Sequence, residues 1–140
     1  MEQYIISATS TAEDFIPIAM SIHEMLQKLP ITARSREHRG VRIEEGQVID
    51  SDYTGPVLEE VLEENRTIRR TPRSGTYRGI PVIVSPVRDG SGSAIGAIGV
   101  VDITGIFDLA NLMEHRSAIM KQVCGADPCP LPGELTSSKR

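Results

Sequence analysis

The sequence contains no tryptophan, two phenylalanines and three tyrosines in 140 residues, so an aromatic pocket has few residues to draw on, and Tyr53 and Tyr77 are the plausible ones. Cysteine is scarce too. Cys124 and Cys129 are the only two, which excludes a disulfide framework as the source of stability. They stand in CGADPCP, but a zinc site needs about four ligands, and His23, His38 and His115 show no paired spacing to supply the rest. Reduced thiols are expected there, with no resident metal and no cofactor. No apolar run approaches the ~20 residues of a membrane span, and the opening MEQYIISATSTAED lacks the basic and apolar regions of a secretory signal. A cytoplasmic protein without a membrane partner is therefore expected. The formal net charge of -4 argues against a non-specific nucleic-acid binder, which needs a net basic face to release counterions.

What is present suits one globular domain: 39% hydrophobic and 24% charged residues. Ser10 followed by Glu13 fits a capping box at a helix start, predicting a helix over about Thr11 to Lys28. Phe15, Ala19, Ile22, Leu26 and Leu29 form its apolar stripe, widened by Ile18 and Met25, with Glu13, His23 and Gln27 outside it. Pro30 helps to stop the helix. ITARSREHRG, which contains Arg36, has no apolar period and reads as a loop. Val41 and Ile43 then alternate with charge, Gly46 can close a short turn, and Val48 leads the return strand of a hairpin.

Thr54 or Gly55 can cap a second helix, since Pro56 is tolerated at the first helical position. Val57, Leu58, Val61 and Leu62 make its inner face; Glu59, Glu60, Glu63 and Glu64 make the solvated one. A short strand from Thr67 to Thr71, the turn TPRSG, and two longer strands at about Arg78 to Arg88 and Ala94 to Ile103, joined by DGSGS, predict a meander. A final helix is expected from about Gly105 to Val123. Residues 125–140 read as a flexible tail behind a single domain of residues 1–124, because they carry too little apolar surface to dock.

The fold class that follows is α+β, a five-stranded antiparallel sheet flanked by helices in the order αββαβββα, with the first hairpin beside the last strand. That order resembles the PAS-like and Cache-like sensor domains and equally the Roadblock and profilin-like modules. PVRDGSGSAIGAIGVVDITG in particular looks like the closing hairpin of Cache domains. The whole chain also resembles a small family from methanogenic archaea with no assigned function. Both alternating faces of IPVIVSPVRDGSGSAIGAIGVVDITG are apolar, so one face is expected to meet the helices. The other is expected to line a small pocket under the middle helix or to face a partner subunit. Gly96 and Gly99 fit close approach by a helix, backbone or ligand.

RTIRRTPRSGTYRG contains Arg66, Arg69, Arg70, Arg73 and Arg78 and no acid. Alternation puts Arg70 and Arg69 on opposite sides of their strand, so one should face inward, and guanidinium groups bind carboxylate or phosphate through paired hydrogen bonds. The bland alternative is neutralisation by the neighbouring glutamates and protection of an edge strand. The resemblance to amino-acid-binding Cache domains implies that Asp102 contacts a ligand's amine; pairing with an arginine or capping the next helix is the structural alternative. The candidate ligand-binding residues are Arg69, Arg70, Arg78, Tyr77 and Asp102. No nucleophile elbow, paired carboxylates or metal-binding helix is visible, Ser85 has no base beside it, and DGSGS reads as a turn, so no catalysis is expected. The expectation is a regulatory sensor-like domain that holds a small anionic or amphoteric metabolite, is a homodimer and signals to an unidentified protein partner. The alternative is a Roadblock or profilin-like interaction module with no ligand.

Overall fold

The computed structural model describes residues 2–103. The predicted helix over 105–123, the tail, His115 and both cysteines lie outside the described residues. Helix α1 spans Ala12–Met25. Its capping acid is Asp14, whose carboxylate accepts the Thr11 amide at 3.1 Å, one position beyond the Ser10 and Glu13 pairing that the sequence suggests. The helix stops three residues short of Lys28, because Gln27 and Lys28 adopt left-handed φ values of 57° and 67°.

Six strands follow the pattern of one antiparallel sheet: β1 (Ile31–Ser35), β2 (Gly40–Glu44), β3 (Gln47–Tyr53), β4 (Ile68–Arg70), β5 (Val82–Arg88) and β6 (Ala94–Val101). Helix α2, Pro56–Glu64, lies between β3 and β4 in the chain, and the strand order across the sheet is β3-β2-β1-β6-β5-β4. The sheet thus has six strands among the described residues, and not five. The extra one is β1, part of the stretch expected to be a loop. It is a central strand, paired with β2 on one side and β6 on the other, so the β2–β3 hairpin sits beside β1 and not beside the last strand. Ile31, Ala33 and Ser35 are fully buried on one face. Their alternation is real but built partly from alanine and serine, which is why hydropathy alone does not reveal it.

The two helices pack on opposite faces. Helix α1 lays Phe15 and Ala19 against Ile31, Ala33, Val41 and Ile43, with Ile98 and Val100 at the margin. Helix α2 lays Val57, Leu58, Val61 and Leu62 against Val82, Val84, Ala97 and Val101. Ile98 and Val100 alternate with Ala97 and Val101 along β6, so this one strand feeds both cores, which accounts for its two apolar faces. A side chain at Gly96 would meet Phe15 at 3.2 Å, and one at Gly99 would meet Val84 at 2.7 Å. Both glycines therefore serve tight packing.

Candidate functional site

On the α2 face, directly paired residues form one row across the sheet: Asp50, Arg42, Thr32, Gly99, Val84 and Ile68. The row runs from charged at the β3 end to apolar at the β4 end. Arg42 sits where the β2–β3 register shifts on either side of it, an irregularity of the kind that re-aims a side chain. Two residues further along β2, Glu44 lies on the same face and its carboxylate accepts from Arg42 Nη1 at 2.8 Å. The Tyr77 hydroxyl donates to the same Glu44 carboxylate from the connection between β4 and β5. Tyr53, at the end of β3, completes the cluster: its ring meets Tyr77 edge-on with centroids 6.5 Å apart, and the Arg42 guanidinium lies 5.9 Å and 6.0 Å from the two ring centres.

Burial pushes the Tyr77 phenol well above its ordinary range, and the hydrogen bond to Glu44 adds to that. Burial also raises Tyr53. At Arg42 burial works against the charge, but Tyr77 and Glu44 outweigh it and hold the guanidinium more firmly protonated. Arg42 Nε is different from every other described side chain: it is buried and has no hydrogen-bond partner. Such an atom ordinarily costs about 1–3 kcal/mol. The two tyrosines of the cluster also border a cavity of about 30 Å³, lined further by Thr32, Gly55, Val57 and Gly99 among others, while Arg42 and Glu44 are not part of its lining. That is room for a water or two.

Of the residues singled out from sequence, Tyr53 and Tyr77 reach this cluster, and Arg69, Arg70, Arg78 and Asp102 do not. Arg69 is exposed on β4, which is an edge strand among the described residues. Arg70 pairs with Glu60 and borders an open groove of about 470 Å³ together with Arg73. Arg78 is exposed beside Tyr77 in the chain. Asp102 is 2% exposed, its amide donates to the Pro81 carbonyl, and it does not line the cavity. Arg42, Glu44 and Thr32 were not anticipated. The signal for Arg42 and Glu44 is the charged phase of the VRIEE alternation, which reads as a solvated face unless another segment covers it, and Thr32 lies in β1, the strand that reads as a loop.

Two further residues depart from expectation. Arg36 is structural: its Nε donates to the Ala94 carbonyl at 2.8 Å and its Nη2 to the Leu62 carbonyl at 2.7 Å, tying β6 to the last turn of α2. His23, expected outside the apolar stripe as a surface or boundary residue, is fully buried. Its Nδ1 donates to the Leu29 carbonyl at 2.7 Å, and its Nε2 accepts the Gly46 amide at 2.9 Å, which assigns a neutral ring with the proton on Nδ1. Among the described residues no group of three or more potential ligands is placed to hold a metal ion, and no helix is long and apolar enough to cross a membrane.

Residues 22–104 match a family model described as an uncharacterized protein conserved in archaea (DUF2111), a span that holds the whole sheet and all of α2. The chain is also 44% identical over 117 residues to a protein of Methanocaldococcus jannaschii named uncharacterized protein MJ0405, covering 83% of this chain and 88% of that one. The chain belongs to this archaeal family, DUF2111, and the Arg42, Glu44 and Tyr77 cluster lies within the matched residues.

Proposed function

We propose that this domain is a non-catalytic, sensor-like module of the PAS-like or Cache-like kind, which binds a small anionic or amphoteric metabolite on the α2 face and passes that state to a protein partner in the cytoplasm. The observation that carries the reading is the buried, unpaired Nε of Arg42. A carboxylate docking on an arginine uses two neighbouring N–H groups at once, whereas Glu44 engages Nη1 alone. The guanidinium, stacked near two tyrosine rings and partly desolvated, is thus prepared for a second oxygen. An amphoteric ligand could place its amine against Glu44, so that binding would exchange one ion pair for two without burying net charge. The cavity lining supplies hydroxyls from Thr32, Ser74 and Thr76 that suit a polar ligand group. The sequential β4–β5–β6 meander and the placement of β1 beside β6 support the resemblance in fold.

Calorimetric titration of acetate, butyrate, glycine and alanine against the wild type and Arg42→Met tests this. At least one compound should bind the wild type, and its affinity should fall at least about tenfold in the variant, as expected for a desolvated charge pair. No binding from the whole panel, or equal affinity in both proteins, overturns the proposal. The second reading, a Roadblock or profilin-like interaction module forming a homodimer, draws on a different observation. Met25 is 70% exposed, and Ile18, Val48 and Ile49 are also exposed, all on α1 and β3. Light scattering that gives a dimer mass, reduced to a monomer by Ile18→Glu with Met25→Glu, would favour it.

A further inference from the structure

The inner cavity on the α2 face and the outer groove beside Arg70 are separate spaces, yet Pro56, Val57, Pro72 and Ser74 line both. The wall between them is formed by the first turn of α2 and the start of the connection from Thr71 to Pro81. We infer that this connection is a movable strap, and that its displacement joins the two spaces into one site of metabolite size. The inference rests on the binding reading above only for the ligand class, a carboxylate with a short apolar body.

The strap is self-contained. The Gly79 amide donates to the Pro72 carbonyl at 2.9 Å, closing a ring of eight residues, and the Ile80 amide donates to the Tyr77 carbonyl at 3.0 Å. Its backbone hydrogen bonds run within itself except at Pro81, whose carbonyl accepts the Asp102 amide just past β6 and fixes that end, so swinging the ring from Pro72 to Gly79 outward breaks no strand pairing. Gly79, at the foot of the ring, has a φ of 84° and open space where a side chain would be, as suits a hinge. Gly75, at the tip, has a φ of 88°, and a Cβ added there would lie 3.1 Å from Pro56 Cδ, so the tip sits close against the start of α2. What fastens the strap to the body is Tyr77, whose ring packs in the α2-side core and whose hydroxyl reaches Glu44 on β2. The same Glu44 holds Arg42. A carboxylate that takes Arg42 would compete with Glu44 and loosen the Tyr77 latch, so occupancy of the site and position of the strap are coupled. Once open, the site would present Tyr53 and Tyr77, the two rings beside the Arg42 guanidinium, at one end, Val57, Val82 and Val84 along the wall, and Arg70 with Arg73 at the mouth.

Arg73 and Arg78 lie in the strap, so trypsin reports its opening directly. The full chain is digested under native conditions without ligand and the cleavage at each arginine is followed by mass spectrometry. Cleavage of a locally opened segment tracks the open population, and loss of a hydrogen bond to a charged group should raise that population at least about tenfold. Tyr77→Phe should therefore speed cleavage after Arg73 and Arg78 by that factor while cleavage after Arg42 and Arg88, within strands, stays at the wild-type rate. Unchanged cleavage in the strap, or an equal rise at every arginine, overturns the inference. Glu44→Ala, which removes the acceptor from the other side, must show the same strap-specific rise. Butyrate titration separates the two proposals: strap-specific cleavage without butyrate binding leaves the strap standing and removes that ligand class, while butyrate binding without strap-specific cleavage does the reverse.

Discussion

The two faces of this sheet are built from the same strands and packed to opposite ends. On the α1 face, Phe15, Ala19, Ile31, Ala33, Val41 and Ile43 are essentially inaccessible, and the one titratable side chain among them, His23, has both ring nitrogens occupied by backbone groups. On the α2 face the core under the helix gives way to a cavity, an ion pair, two tyrosines and an unpaired guanidinium nitrogen. Strand β2 makes the contrast within five residues: Val41 and Ile43 close the first face, Arg42 and Glu44 open the second. A small domain can tolerate an incompletely satisfied surface on one side because the other side supplies rigidity.

The sharpest way to break that comparison is to damage the full face. Phe15→Ala removes the ring against which Gly96 is fitted and should cost about 3–5 kcal/mol, a large share of the stability of a domain this size. Urea denaturation measures it, and a cost below about 1 kcal/mol would mean that the α1 face is not the rigid one. Next in size, His23→Ala leaves the Leu29 carbonyl and the Gly46 amide without their partner and should cost about 2–4 kcal/mol. The same denaturation series checks it, and the loss should exceed that of Arg42→Met. That substitution on the α2 face should change stability by less than about 1 kcal/mol, because it removes a poorly satisfied buried charge while keeping its stem. A loss as large as that of His23→Ala would show that Arg42 is structural and erase the contrast.

The smallest effect concerns pH. The folded-state pKa of Tyr77 is raised above its ordinary value of 10.0, so the folded protein keeps a proton that the unfolded chain gives up. The stabilisation is fully present below pH 10 and is lost as the pH climbs from there toward the folded-state value. Melting temperatures between pH 8 and 11 should decline in the wild type and decline less steeply in Tyr77→Phe. Parallel curves would remove Tyr77 from the account of alkaline stability.

Much of the secondary structure was legible because its signals are local. The α2 stripe of Val57, Leu58, Val61 and Leu62, the proline at its first position and the β4–β5–β6 meander are where periodicity and turn chemistry put them. β1 escaped because its inward phase includes alanine and serine, and it is held from both sides by strands distant in sequence, not by its own hydropathy. The arginine cluster from Arg66 to Arg78 was the most conspicuous charge pattern, yet Arg69 and Arg78 point to solvent and Arg70 answers Glu60. A run of one charge reports composition along the chain and is silent about what covers it.

Tyr77 illustrates the division most clearly. Its scarcity as an aromatic marks it in the sequence, but its partner Glu44 lies 33 residues away and Arg42 was hidden in the outward phase of a hairpin. Helical and strand periods extend over a few residues and determine which side of an element is apolar. Which side chains meet is set by strand register and by the order β3-β2-β1-β6-β5-β4, a property of the assembled sheet. So the sequence by itself determined the two amphipathic helices, the hairpins and the acidic overall balance. The tertiary structure alone decided that Arg42, Glu44, Tyr53 and Tyr77 share one cluster and that His23 closes the opposite face, because each of those contacts joins segments no local pattern connects.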